Sequence, residues 1–269
     1  MTTSEEVIDR IRFLSRANSR VRILEFLAES TAVTERELRA ELPLSRSTIS
    51  RGLDSLAELG WVDDGSERVE LTPTGRLVIE AFSELAKAMS TTEELSPFLK
   101  WFPLSEFELT VEDLRDSELT VAADGDPLAP ARTQTDLVRS TPRFRGRFPS
   151  LDLSGTELVH ERIVAGEFEA EIIVSAAVAE TIHGERFEPL FGEMLSTDRL
   201  TVHVVDEVPF YLGLGADERT QIGVEDDNGL PRALLESDNE TVREWATALF
   251  AESRRSSTDQ LTAGSFKKL

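Results

Sequence analysis

Hydrophobic positions in the first ninety residues recur at helical spacing and break where capping residues stand. In "SRVRILEFLAES" (residues 19–30), Val21, Leu24 and Leu27, or Ile23, Phe26 and Leu27, share a face, which predicts an amphipathic helix. In "TERELRAEL", Thr34 can cap a helix and Glu37 follows three residues on, the pattern of a capping box. Leu38 and Leu42 lie at i, i+4, Pro43 ends that helix, and Ser45 can cap the next. Along this third helix Ile49, Leu53, Leu56 and Leu59 face inward, while Ser47, Ser50, Arg51 and Asp54 form the opposite stripe. Gly60 stops it, and "WVDDGSERVELT" reads as strand, Asp-Gly turn, strand. A fourth helix starts after Pro73. Leu77, Val78, Ile79, Phe82, Leu85 and Met89, with Ala81 and Ala86, leave it apolar around most of its girth. Such a helix needs partners on two sides, and a dimer interface would supply the second.

The rest of the chain changes period. "STTEELSP" (residues 90–97) reads as a short hinge, set at 91–97. A strand and turn, "ELTVAADGDP", precede a polar helical stretch, "LAPARTQTDLVRST". Then come "RFRGRF", a strand "AEIIVSAA", a helical patch through Leu195, and three strands, "RLTVHVV", "PFYLGLGA" and "TQIGVED". The last firm element is a helix in "SDNETVREWATALFAESRR", with Asp238 as its cap, after which residues 257–269 are expected to fray. Strands alternating with helices indicate an α/β domain. The expected division is therefore 1–90, a hinge at 91–97, an α/β domain at 98–256, and a tail. No period of 20–50 residues recurs, and no phosphate-cradling glycine loop or dinucleotide fingerprint occurs.

Length and composition narrow the class. A chain of 269 residues suits two domains. No apolar run approaches the ~18–20 residues that span a bilayer, and "MTTSEEVIDR" lacks a secretory core. The absence of cysteine removes disulfides, thiolate catalysis and cysteine-based zinc sites, so a cytoplasmic location is expected, with no membrane partner. Basic residues are 25 Arg and 4 Lys against 51 Asp and Glu, for a net charge of −22. Carboxylate-rich and lysine-poor, this texture resembles the cytosolic proteins of haloarchaea. At 1 M salt the Debye length is about 3 Å, so acidic flanks hardly repel DNA at a distance. The charge is also uneven: between Arg10 and Arg51, nine Arg face five Glu, a net of +4 within the acidic whole.

That basic island surrounds the polar stripe. Arg46, Ser47 and Thr48 occupy a first helical turn, where free N–H groups and the helix dipole favour a phosphate. Arg51 is long enough to reach a guanine edge with two hydrogen bonds. The run "ERELRAELPLSRSTISRGLDSLAELGWV" and the closing "LTPTGR" resemble the winged helix-turn-helix domain of archaeal regulators over about 75 residues. The resemblance implies double-stranded DNA as partner, with recognition by Arg46, Ser47, Thr48, Ser50 and Arg51. The hairpin becomes the wing, departing from the pattern by carrying Asp63, Asp64 and Glu67 with Arg68 as its one base. A protein-interaction module remains the alternative, although a Ser/Thr/Arg stripe makes a poor apolar interface core.

In the second half, "RFRGRF" as a strand puts Arg143, Arg145 and Arg147 on one face and Phe144 and Phe148 on the other. Two readings stay open: three guanidiniums holding a small anionic metabolite, or a solvated edge strand paired with local carboxylates. In "HERIVAGE", His160, Arg162 and Glu167 reproduce the His-x-Lys-x4-Asp spacing of phospholipase D enzymes with two substitutions. No second copy exists, and "HVVD" (203–206) has Val where Lys belongs, so a phosphate-binding relic is preferred to an enzyme. His160, His183 and His203 lack paired ligand spacing, so no metal or cofactor is expected. The strand and turn at 117–127, "EIIVSAAVAETI" and "WATALFAESRRSS" resemble the sensor domain of methanogenesis-regulator-type proteins and the TrmB-like superfamily. The fold expected is an N-terminal winged helix-turn-helix plus a C-terminal α/β effector-type domain. The function implied is a homodimeric transcription regulator on a palindromic operator, with Arg143, Arg145, Arg147, His160 and Arg162 as effector candidates. Two alternatives remain, an architectural DNA-binding protein without ligand and a phosphodiesterase carrying a DNA-binding module.

Overall fold

The computed structural model describes residues 4–65, 68–103 and 108–266. The chain divides into two compact units, Met1–Met89 and Ser90–Leu269.

The first unit holds α1 (Glu5–Ser15), α2 (Asn18–Glu29), α3 (Glu35–Glu41), α4 (Arg46–Glu58), β1 (Val62–Asp64), β2 (Val69–Leu71) and the start of α5 (Pro73–Leu99). Local chemistry sets its boundaries. Thr34 accepts from the Glu37 N–H while the Glu37 carboxylate accepts from the Thr34 N–H at 2.7 Å, closing the capping box. That N–H first, and the Thr34 hydroxyl second, hold the Glu37 carboxyl below its usual pKa. Ser45 accepts from the Thr48 N–H at 3.1 Å and starts α4. Gly60, at φ +69°, ends that helix in the left-handed region open to glycine. Thr72 accepts from the Gly75 N–H at 3.0 Å ahead of α5, with Pro73 at the first helical position, where its missing N–H costs nothing.

Ile23, Leu24 and Leu27 of α2, Leu38 of α3, and Ile49, Leu53 and Leu56 of α4 meet in one core with Trp61 and Ile79. β1 and β2 pair antiparallel, Val62 opposite Leu71, and Val33 adds a bridge to Val69. Glu67, assigned to this hairpin from sequence, lies outside the described residues.

The second unit is an eight-stranded mixed sheet in the order β10-β6-β5-β4-β7-β8-β9-β3. The strands are β3 (Glu118–Val121), β4 (Arg143–Phe148), β5 (Glu169–Ser175), β6 (Leu200–Val205), β7 (Tyr211–Gly215), β8 (Thr220–Glu225), β9 (Pro231–Ser237) and β10 (Asp259–Leu261). β4, β5 and β6 run parallel, and β4 turns antiparallel to β7 on its other edge. Side chains alternate between two cores. Phe144, Ala170, Ile172, Val174 and Tyr211 face α6 (Ala129–Ser140), α7 (Leu153–Val164), α8 (Ala176–Ile182) and α9 (Glu188–Leu195). Ile173, Leu212, Leu214, Ile222 and Leu235 face α10 (Glu240–Arg255) and the end of α5. Burial on both faces explains the near-continuous apolar runs of the central strands.

Four expectations are corrected. Residues 91–97 form no hinge loop, because they continue α5, where Thr91, Leu95 and Phe98 are buried. The cap of α10 is Asn239 rather than Asp238, since the Asn239 side chain accepts from the Thr241 N–H at 2.8 Å. A fourth strand, β9, follows the three read after Leu195. Residues 257–266 do not fray: the Thr258 N–H donates to Val204 O at 2.9 Å and β10 covers the edge of β6, which would otherwise present unpaired backbone groups. Residues 267–269 lie outside the described residues. α1 was not read from sequence.

Gly75 gives a sharp test of the first unit. A Cβ there would stand 1.9 Å from the Trp61 carbonyl oxygen, a backbone atom that cannot swing aside. Gly75→Ala is expected to cost about 1–3 kcal/mol through overpacking. Hydrogen exchange should show lost protection across α2 and α4 with the second unit unchanged, whereas native protection would mean the turn relaxes freely.

Candidate nucleic-acid interface and two clefts in the second unit

α4 presents Arg46, Ser47, Arg51 and Asp54 to solvent, with Ser50 and Thr48 half-buried. Its inner face is fixed by close approach to α2: a Cβ on Gly52 would stand 2.8 Å from Ile23 Cδ1. The hydroxyls of the first turn interlock, Ser45 Oγ lying 3.0 Å from Ser47 Oγ and 2.8 Å from Thr48 Oγ1. The Thr48 hydroxyl thus engages the cap residue. Among the described residues, no carboxylate pairs with Arg46 or Arg51, although other arginines of this unit are engaged. Arg20 donates to Phe13 O at 2.6 Å, and Arg76 to Ala28 O at 3.3 Å. Arg68 is exposed and spends one terminal nitrogen on Ala32 O at 3.0 Å. Asp63 and Asp64 are also exposed on the same hairpin.

The five effector candidates are not brought together. Arg143 and Arg145 line a cleft of about 480 Å³ with Arg199 and Arg243, two residues the sequence reading missed. Glu169 serves Arg143 at 3.8 Å and Arg199 at 3.2 Å, whereas Glu171 serves His203 at 3.0 Å and Arg254 at 3.4 Å. Arg243 donates to Arg219 O and Gly215 O. Burial first, and the Arg145 guanidinium second, hold the Arg243 pKa below the usual arginine value. Arg145 itself lies 5.6 Å from the centre of the Phe250 ring, with no carboxylate partner among the described residues. Arg147 shares that face of β4 but is buried, 5.1 Å from the Phe210 ring centre.

His160 and Arg162 sit on α7. Two residues apart on a helix, they point to different sides. His160 Nε2 lies 2.8 Å from Glu193 Oε2. Arg162 donates to the carbonyls of Val138, Thr141 and Glu167 and covers the Phe168 ring, tying α6 to α7. Their spacing along the chain therefore does not become a shared phosphate grip within one copy. No group of His, Asp and Glu among the described residues could hold a metal ion. No described helix is long and apolar enough to cross a membrane.

A second cavity, of about 640 Å³, opens at the other end of β4. Its floor is aromatic: Phe144, Phe148 and Tyr211 pack in sequence, with ring centres 5.9 Å and 5.3 Å apart. Its rim comes from α6, the start of α7 and the β8–β9 turn, and includes Arg132, Arg139, Ser150, Asp152 and Glu225. The buried Tyr211 hydroxyl donates to Gln221 Oε1 at 3.2 Å, while the Gln221 amide donates to Thr133 O and Glu236. Burial pushes the Tyr211 hydroxyl pKa well above the usual tyrosine value.

No curated protein matches the chain. Among solved structures, TrmBL2, described as an archaeal chromatin protein, is similar at 10% identity and a TM-score of 0.41 over 87% of this chain and 90% of that one. Nuc, a phospholipase D family member from Salmonella typhimurium, is similar at 8% identity and 0.43, over 55% of this chain and 99% of its own. NucT from Helicobacter pylori gives 9% and 0.40, over 53% and 97%. Residues 8–94 match the family model of the HVO_A0261 N-terminal domain. Residues 127–256 match that of the middle domain of the methanogenesis regulatory protein FilR1. The chain thus joins an N-terminal domain of the HVO_A0261 type to a middle domain of the type found in the methanogenesis regulatory protein FilR1.

Proposed function

We propose that the protein is a sequence-specific DNA-binding transcription regulator acting as a homodimer. The observation that carries this reading is the exposed face of α4. There, Arg46 and Arg51 stand beside Ser47 and Ser50 without a carboxylate partner among the described residues, in a chain with 51 acidic side chains. In this reading residues 1–90 form a winged helix-turn-helix, α4 enters the major groove, and Arg51 reads a base edge. Arg46 and the first turn meet a phosphate. Arg68 adds a weak contact, one of its nitrogens being spent on Ala32.

The dimer rests on α5. Leu77, Ala81, Leu85 and Met89 are exposed at intervals of four residues, with Leu77 68% and Met89 59% accessible, forming an apolar strip on one helix face. Two copies would present recognition helices about 34 Å apart to a palindromic operator. A small anion is the proposed effector, held in the cleft where Arg143 and Arg145 meet Arg199 and Arg243. The like-charge crowding of Arg145 and Arg243 would be relieved by an anion. The acidic remainder of the surface fits a cytoplasm of high salt.

Arg51→Ala is expected to weaken binding to the selected operator by about 1–3 kcal/mol, roughly tenfold to hundredfold, with non-specific DNA little affected. Equal loss on both DNAs would make Arg51 a phosphate contact instead, and no loss on either would remove α4 as the reading helix. The double variant Leu77→Glu, Leu85→Glu should be monomeric by light scattering at concentrations where the parent is a dimer. A persisting dimer would place the interface elsewhere. Calorimetric titration with inorganic phosphate at constant ionic strength should show binding that Arg145→Ala abolishes. Unchanged binding in that variant would discard this cleft.

A further inference from the structure

The two ends of β4 differ in chemistry, and the carboxyl end carries a site of its own. In sheets with parallel strands, ligands gather beyond the carboxyl ends, beside the point where strand connections change direction. β4 is that strand, parallel to β5 on one side and antiparallel to β7 on the other. The cavity at its end, about 640 Å³, falls within the span of roughly 300–1,000 Å³ usual for small-molecule sites.

Its walls are preorganised. Tyr211 lies flat across Gly213, where a Cβ would stand 2.3 Å from the tyrosine oxygen. The Gln221 hydrogen bond fixes the ring's outer end, and Phe148 meets the ring edge-on. An aromatic floor of this kind accepts a flat ring, and its negative faces favour a cation.

The charges on the rim select the sign. Arg132 is already paired with both oxygens of Asp126, and Arg139 with Asp136 at 2.8 Å. Asp152 and Glu225 have no basic partner among the described residues. Asp152 accepts from the Gly155 N–H, and Glu225 from the Ser150 hydroxyl at 2.6 Å. Burial pushes the Glu225 carboxyl above the usual carboxylate pKa, a cost that a donor nitrogen would offset. An anion would meet two carboxylates and two neutralised arginines.

We propose that this cavity binds an aromatic amine, with its ring against the half-buried Phe148 and its nitrogen donating to Glu225. The inference goes beyond the anion cleft, which lies at the opposite end of β4 and has the opposite charge preference.

The test is calorimetry on the full chain with three probes of one ring size: tryptamine, indole and indole-3-acetate, at one pH and ionic strength. Tryptamine should bind at least tenfold more tightly than indole, with indole-3-acetate weakest. Glu225→Gln should bring tryptamine down to the affinity of indole and leave indole unchanged. Ala131→Trp, which fills the cavity from α6, should abolish binding of all three while the circular dichroism spectrum and operator affinity stay those of the parent. A preference for indole-3-acetate, an unchanged tryptamine affinity in Glu225→Gln, or no binding of any probe would overturn the proposal. Operator and phosphate binding are measured on the same preparations, so these results leave the regulator reading standing or falling separately.

Discussion

A guanidinium group is either tied to an acceptor within its own fold or left for a partner, and this choice organises the molecule. With 51 carboxylates in 269 residues, acid partners for an arginine are plentiful. In the second unit Arg132, Arg139, Arg199, Arg219, Arg232 and Arg254 all pair with carboxylates. Arg162 is consumed by three carbonyls. These pairs are mostly surface bonds of small net value, but each removes a charge from the field that a ligand would meet. Arg46 and Arg51 on α4, and Arg145 on β4, make no such pair among the described residues.

β4 joins the second unit's chemistry because it is central and because its alternate residues face opposite cores. Arg143, Arg145 and Arg147 look toward α10, and Phe144 and Phe148 toward α6 and α7. The position along the strand then decides what each can do. Arg143 lies at the open end, and Arg147 is buried against Phe210. Three arginines on one face of one strand thus have three environments, and the alternation alone gives no hint of this.

Much of the first unit was legible because its signals are local. Caps, the Pro73 start, the Gly60 stop and the inward spacing of Ile49, Leu53 and Leu56 all act within a turn or two of the chain. α1 escaped notice because it buries one residue, Leu14, although Ser4 followed by Glu5 and Glu6 is a readable start. In the second unit β5 and β6 were readable as apolar runs, and β4 by its alternation of Arg and Phe. β10 was not, since three residues become a strand only by pairing with β6. His160 and Arg162 do not converge, because two positions along a helix point about 200° apart, and the spacing alone does not show that they lie on one. The cavity was invisible in the sequence because its parts meet only in the fold, Ser150 reaching Glu225 across 75 residues.

The same accounting bears on how so acidic a chain meets a polyanion. A hairpin with exposed Asp63 and Asp64, and with Arg68 bonded to Ala32, offers a phosphate little. In dilute buffer that acidity would oppose DNA over about 10 Å, but in molar salt the reach falls to about 3 Å, less than the distance across the hairpin. The gain from releasing counterions shrinks under the same conditions. Affinity then has to come from contacts short enough to ignore screening, such as paired hydrogen bonds from an arginine to a base edge. In molar salt an acidic hairpin is therefore tolerable, and the short-range contacts fall to groups such as Arg46 and Arg51 that are free of internal carboxylate partners among the described residues. On a surface crowded with carboxylates, Arg46 and Arg51 keep their guanidinium groups for such contacts.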